Sequence, residues 1–157
     1  MTIEDDLYSV VRQSRPLHRD VHRVVEAQLA GSGITVAMRA VLEELAGRGP
    51  RTVPELARTL ALDRQPVQRS VDAALGQGLV ARRENPRHRS SPVMALTDRG
   101  ADGFAAIRDH ERAVLLEIAE GISPADAEAA RRVVTRLAEE FAALAATGRR
   151  SSEGERS

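Results

Sequence analysis

The stretch TVPELARTLALDRQPVQRSVDAALGQGLVARRENPRHRSSPVMALT, Thr52 to Thr97, decides the fold. It opens on Thr52-Val53-Pro54-Glu55, a capping box in which the threonine hydroxyl and the glutamate three residues on each satisfy an orphan amide. A short helix carrying Leu56 and Leu60 follows. Leu62-Asp63 reads as a tight turn, and Asp63 as the cap of a helix from Arg64 to about Gln77. In that helix Val67, Val71, Ala74 and Leu75 share the inward face. Gly76 and Gly78 end it. Leu79–Arg82 reads as a strand, Asn85–Ser91 as a polar turn and Pro92–Leu96 as the returning strand. Thr97 caps the next helix. A capped helix, a tight turn, an Arg/Gln-bearing helix and a basic hairpin are the layout of a winged helix-turn-helix.

Working outward, the flanks read as helical. Ile3, Leu7, Val10 and Val11 form one stripe ending near Arg12. Ser14 then offers an N-cap, with Pro16 in the first turn of a second helix. Leu17, Val21, Val24, Val25 and Leu29 continue the apolar spacing to Gly31-Ser32-Gly33. Thr35 caps a helix whose buried face is Met38, Val41, Leu42 and Leu45. After the hairpin, Phe104, Ile107, Val114, Leu115 and Ile118 mark a long helix. Ser123-Pro124-Ala125-Asp126 starts another. There Val134, Leu137, Phe141 and Leu144 step by three, four and three, a short coiled-coil-like seam. A chain of 157 residues cannot easily cover that seam alone. The seam and the N-terminal stripe, Leu7, Val10 and Leu17, are therefore expected to bury in a homodimer. The expected organisation is mainly α with a small β-hairpin wing. It comprises N-terminal dimerisation helices (1–34), a winged lobe (35–100), C-terminal dimerisation helices (101–148) and a disordered tail (149–157).

Composition narrows the function. There is no cysteine, which excludes disulfides and thiolate chemistry. Net charge is zero, yet residues 51–100 carry nine arginines against five acidic residues. The basic block thus coincides with the winged segment. Every strongly basic side chain is arginine, whose planar fork suits phosphate and guanine, although a GC-rich genome would leave the same mark. No apolar run is long enough to span a membrane and no leader opens the chain, so a cytoplasmic protein is expected. No nucleophile–base arrangement, glycine-rich phosphate loop or metal signature is recognisable, so no enzyme, cofactor or metal is expected.

The candidate DNA-reading residues are Arg64, Gln65, Pro66, Gln68 and Arg69, opposite Val67 and Val71. Glutamine pairs bidentately with adenine and arginine with guanine, and Pro66 offers an apolar edge to a thymine methyl. A solvated face on an ordinary helix has the same periodicity. Arg87, His88 and Arg89 sit at the hairpin tip, where an arginine can enter a minor groove; a charged turn is the plain alternative. Of Arg82 and Arg83, one is expected to pair with Asp72 or a neighbouring acid and the other to contact a phosphate, with Arg82 read as the structural one. His18 and His22, at i and i+4, have metal-ligand spacing but no matching third ligand. They and His110 read as helix surface, with an organic-ligand pocket as the alternative. Tyr8, Phe104 and Phe141 are the only aromatics, so any pocket should be lined by aliphatic side chains.

These residues also resemble a known family. Thr52–Leu60 is similar to the segment opening the DNA-binding region of MarR-family regulators. Val67-Gln68-Arg69-Ser70-Val71-Asp72, with Leu75 and Gly78-Leu79-Val80, is similar to the family's recognition helix and its exit. Asn85–Ser90, leading to Ala95-Leu96-Thr97-Asp98-Arg99-Gly100, is similar to its wing and following helix. The wing departs from the family pattern at Arg87 and Ser90. The resemblance implies a homodimer whose two winged lobes straddle a pseudopalindromic operator on double-stranded DNA. It further implies a transcriptional regulator, commonly a repressor, released by a small organic ligand. The competing reading keeps the fold as a dimer used for protein–protein contact; DNA binding would weaken steeply with salt and protein pairing would not.

Overall fold

The computed structural model describes residues 2–86, 88 and 91–154, with residues 148–154 described by backbone alone. The elements run α1 (Ile3–Leu29), α2 (Val36–Arg48), α3 (Val53–Thr59), α4 (Arg64–Gly76), β1 (Val80–Arg83), β2 (Val93–Leu96), α5 (Asp98–Ile118) and α6 (Pro124–Gly154). They fall into two compact units, Met1–Arg112 and Ala113–Ser157.

The first unit is organised around one aliphatic core. Met38, Val41, Leu42 and Leu45 of α2 meet Val53 and Leu56 of α3, Val67, Val71 and Ala74 of α4, and Leu79, Val80, Met94 and Phe104. Leu42, Leu56 and Val71 have no exposed surface. Full burial of such a side chain contributes about 1.5–3 kcal/mol, so these positions hold the lobe together.

Local signals set the helix boundaries. Thr35 Oγ1 accepts from the Met38 amide at 3.1 Å, and Gly49, at φ +75°, closes α2. The Thr52 capping box forms as expected: the Thr52 amide donates to Glu55 Oε2 at 2.8 Å, and the Glu55 amide donates to Thr52 Oγ1 at 3.4 Å. The turn before α4 centres on Ala61 rather than Leu62-Asp63. Ala61 adopts φ +52°, a left-handed conformation unusual for alanine. Asp63 occupies the N-cap of α4 with extended backbone, but its side chain makes no capping bond.

β1 and β2 pair antiparallel in the register Val80–Leu96 to Arg83–Val93. Arg51 adds a bridge to Met94, through amide–carbonyl bonds of 3.0 and 2.7 Å. A one-residue strand leaves no periodicity, so the sequence pattern did not reveal it.

The N-terminal segment corrects the sequence reading. Residues 3–29 form one continuous helix with Pro16 inside it, not two helices divided near Ser14. Ser14 does not cap: its hydroxyl donates to the Val11 carbonyl at 2.7 Å. The physical reason is phase. Leu7, Val10, Leu17, Val21 and Val24 stay on one stripe across the proline, so a straight helix keeps them together.

In the second unit, Ser123 caps α6: its Oγ accepts from the Asp126 amide at 3.1 Å. α6 extends to Gly154, into the 149–157 stretch expected to be a disordered tail; residues 155–157 lie outside the described residues. No helix among the described residues is long and apolar enough to cross a membrane.

Candidate nucleic-acid interface

The helix α4 turns Val67, Val71 and Ala74 into the core and leaves its other side open. Arg64, Gln65, Pro66 and Arg69 are exposed, and Gln68 is half-buried. Pro66 is tolerated in the first turn because the amide it lacks has no partner there anyway. Helical spacing places Arg64, Gln68 and Asp72 in one row, with Gln65 and Arg69 in the next. Arg64, Gln65, Gln68 and Arg69 therefore share the open side, while Pro66 lies farther round the helix.

That face borders the hairpin. Val53, Pro54, Arg64, Gln68, Arg82, Ser91, Pro92 and Met94 line a shallow depression of about 210 Å³ between the start of α3, α4 and the base of the hairpin. Arg82 Nη2 lies 3.6 Å from Asp72 Oδ1, as the sequence reading expected for that arginine. Gln68 Nε2 donates to the same oxygen at 3.0 Å. Above the strands, Asn85 is buried and its Nδ2 donates to the Ser91 carbonyl at 2.9 Å, closing the base of the turn. The sequence pattern marked Asn85 only as turn-forming; its buried amide tie depends on tertiary structure. His88 is exposed at the tip. Arg87 and Arg89, the other two expected tip residues, lie outside the described residues.

This arrangement of helices and hairpin can be set beside known proteins. A MarR family model matches residues 32–89. The crystal structure of the MarR family transcription regulator SP03579 superposes with a TM-score of 0.79 at 37% identity, covering 90% of this chain and 94% of that one. The chain belongs to the MarR family. Rv2011c, an uncharacterized protein of Mycobacterium tuberculosis, is 32% identical over 135 residues, which cover 86% of this chain and 94% of its own length. A Streptococcus pneumoniae MarR-fold neighbour, FabT, was solved in complex with DNA. It shares the fold at a TM-score of 0.72 and 16% identity, covering 87% of this chain and 98% of its own. The helices and hairpin of this MarR-family member are thus those of a winged-helix transcription regulator.

The remaining expected residues divide by location. On α1, Leu7 is half-buried while Val10 and Leu17 are exposed. On α6, Leu137 is half-buried and Val134, Phe141 and Leu144 are more than half exposed. Each helix thus carries an uncovered apolar stripe in the single chain. His22 lines a cleft of about 360 Å³ with Glu26, Leu29, Ala30, Ile34, Thr35, Val36 and Ala37. Its lining is largely aliphatic. His18 and His110 are exposed and not among the cleft's lining residues. Among the described residues, no three His, Asp or Glu side chains cluster as metal ligands would.

Sequence reasoning also missed a connection within the first unit. Arg39 of α2 forks onto Glu111 of α5, with Nη2 donating to Oε2 at 2.7 Å and Nε donating to Oε1. Its Nη1 donates to Glu43 at 2.8 Å. Bonding to Glu111 holds the Arg39 guanidinium more firmly protonated than usual.

Proposed function

We propose that this chain is a sequence-specific DNA-binding transcriptional regulator, acting as a homodimer on a pseudopalindromic operator. The observation carrying this reading is the Arg64, Gln65, Gln68, Arg69 face of α4 standing beside the two-stranded hairpin. A helix of that diameter fits the major groove, and a hairpin beside it reaches backbone or minor groove. Arg64, Gln65, Pro66, Gln68 and Arg69 are the base-reading set, and Arg87, His88 and Arg89 are the wing contacts. The DNA-bound FabT structure supports the same use of the shared fold.

The apolar stripes of α1 and α6 are the dimer surface: Leu7, Val10 and Leu17 on one, Val134, Leu137, Phe141 and Leu144 on the other. A two-fold dimer presents two α4 helices, which matches a palindromic site. The action is repression, relieved by a small organic molecule in the His22 cleft, with His18 one helical turn from His22; His110, the other candidate ligand residue, lies on α5 outside that lining. A Staphylococcus aureus MarR of the same fold was solved in complex with salicylate and kanamycin, which supports ligand control. Release requires only that the ligand prefer a lobe spacing out of register with the operator.

Fluorescence anisotropy on DNA from the protein's own upstream region tests the reading, at two salt concentrations beside a scrambled duplex. Nanomolar binding to the upstream DNA, falling steeply with salt, is the expected result. Equal, weak binding to both duplexes would overturn it and favour a protein partner.

A further inference from the structure

We infer that Asp72 is a positioning residue that fixes the amide of Gln68 for reading adenine; this rests on the DNA-binding reading above. The argument begins with what a carboxylate can do. An ionised aspartate only accepts hydrogen bonds, so the side of the Gln68 amide that faces it must be the NH2 group. Gln68 Nε2 donates to Asp72 Oδ1 at 3.0 Å, one helical turn along the same face.

An amide NH2 has two hydrogens. The one directed to Asp72 is spent. The other hydrogen and Oε1 remain as a donor–acceptor pair on the amide's other edge. Adenine presents the matching pair in the major groove, N7 as acceptor and the N6 amine as donor. With the amide free to rotate, donor and acceptor exchange places and the match to adenine is present only part of the time. Asp72 removes that ambiguity before DNA arrives.

Arg82 reinforces the arrangement. Its Nη2 stands 3.6 Å from the same Oδ1, an ion pair that ties the hairpin to the carboxylate Gln68 bonds. Gln68 and Arg82 both line the depression at the foot of the hairpin. Asp72 acts through Gln68.

The test is selection of binding sites from a randomised duplex pool by the full-length protein and four variants: D72A, Q68A, R82A and Q68A/D72A. Asp72 and Arg82 are more than half exposed, and alanine is the better helix former at position 72, so the variants fold. The wild type should enrich a palindromic site with one adenine column per half-site that Q68A abolishes. D72A should flatten that same column by about tenfold and leave the others standing. D72A should add nothing in the Q68A background. R82A, which removes the ion pair and leaves the Gln68–Asp72 bond, should flatten the column less than D72A does. The inference falls if D72A leaves the Gln68 column intact, if R82A flattens it as strongly, or if the column is not adenine. Each of those outcomes leaves DNA reading itself in place. Enrichment of no motif by the wild type would overturn the DNA-binding reading and this inference with it.

Discussion

Gly100 approaches Leu79 so closely that a Cβ on Gly100 would stand 1.9 Å from the Leu79 carbonyl oxygen. The contact is with backbone, which cannot turn aside as a side chain can. The same carbonyl accepts from the Thr97 amide at 3.1 Å, so the start of α5 is locked onto the exit of α4. G100A should therefore cost about 3 kcal/mol, because helix and strand must separate to admit a methyl group. G103A, one turn on, meets only the Leu79 side chain at 4.0 Å and should be neutral or stabilising, since alanine favours helix by about 1 kcal/mol. Urea denaturation of the two variants checks the contrast. Equal effects would show that α5 is not seated on Leu79 as described.

The capping box makes a pH prediction. Glu55 is held below its ordinary carboxylate range, first by the bond from the Thr52 amide and then by the Thr52 hydroxyl. A depressed folded pKa gives stability that is complete above the unfolded value of 4.5 and is lost as pH falls through the folded value. E55Q keeps the side-chain shape and an acceptor oxygen but cannot titrate. The melting-temperature difference between wild type and E55Q should be largest near neutrality and shrink as pH falls below 4.5. A difference independent of pH would mean the carboxylate charge is not what the box uses.

How much was readable in advance follows from the range of each signal. Thr35, Thr52, Thr97 and Ser123 act within three residues, and all four accept the amide bond expected of a cap. The core faces of α2 and α4 follow from periodicity alone, and the residues on the open side of α4 follow by exclusion. That Arg82 or Arg83 would pair with Asp72 or a neighbouring acid was legible, because the short link between α4 and β1 limits where those arginines can reach; the structure picks out Arg82 and Asp72. The Arg39–Glu111 fork was not: the partners are 72 positions apart, and no local pattern connects them. The bridge from Arg51 to Met94 was hidden for the opposite reason, being a single residue long.

The Arg39–Glu111 pair makes a prediction by contrast with Glu43. Both Arg39 and Glu111 side chains are 17% exposed, whereas Glu43 is 54% exposed. E111A strips a largely buried guanidinium of two bonds and should cost about 1.5–3 kcal/mol. E43A removes one screened surface contact and should cost about 0.5 kcal/mol. R39M/E111L, which removes both charges together, should recover most of the loss seen in E111A. Denaturation midpoints at low and high salt decide it. A loss in E111A that salt abolishes would mark the pair as an ordinary surface contact.

The continuous α1 is open to a test whose sign differs between the two descriptions of residues 12–17. Proline inside a helix removes one backbone bond and crowds the carbonyl four residues back, here that of Arg12. P16A should therefore strengthen the helix, slowing amide exchange across residues 12–20 by up to about 3 kcal/mol in opening free energy. Ser14 supplies the sharper half. In one unbroken helix its hydroxyl bonds back to Val11, and S14A should be neutral or mildly stabilising because alanine is the better interior residue. If a second helix began at Ser14, the same change would delete an N-cap and cost about 1 kcal/mol, while P16A would gain little. Exchange measured on both variants separates the cases. Faster exchange in S14A, with none slowed in P16A, would restore the two-helix arrangement and break the stripe that unites Leu7 with Leu17.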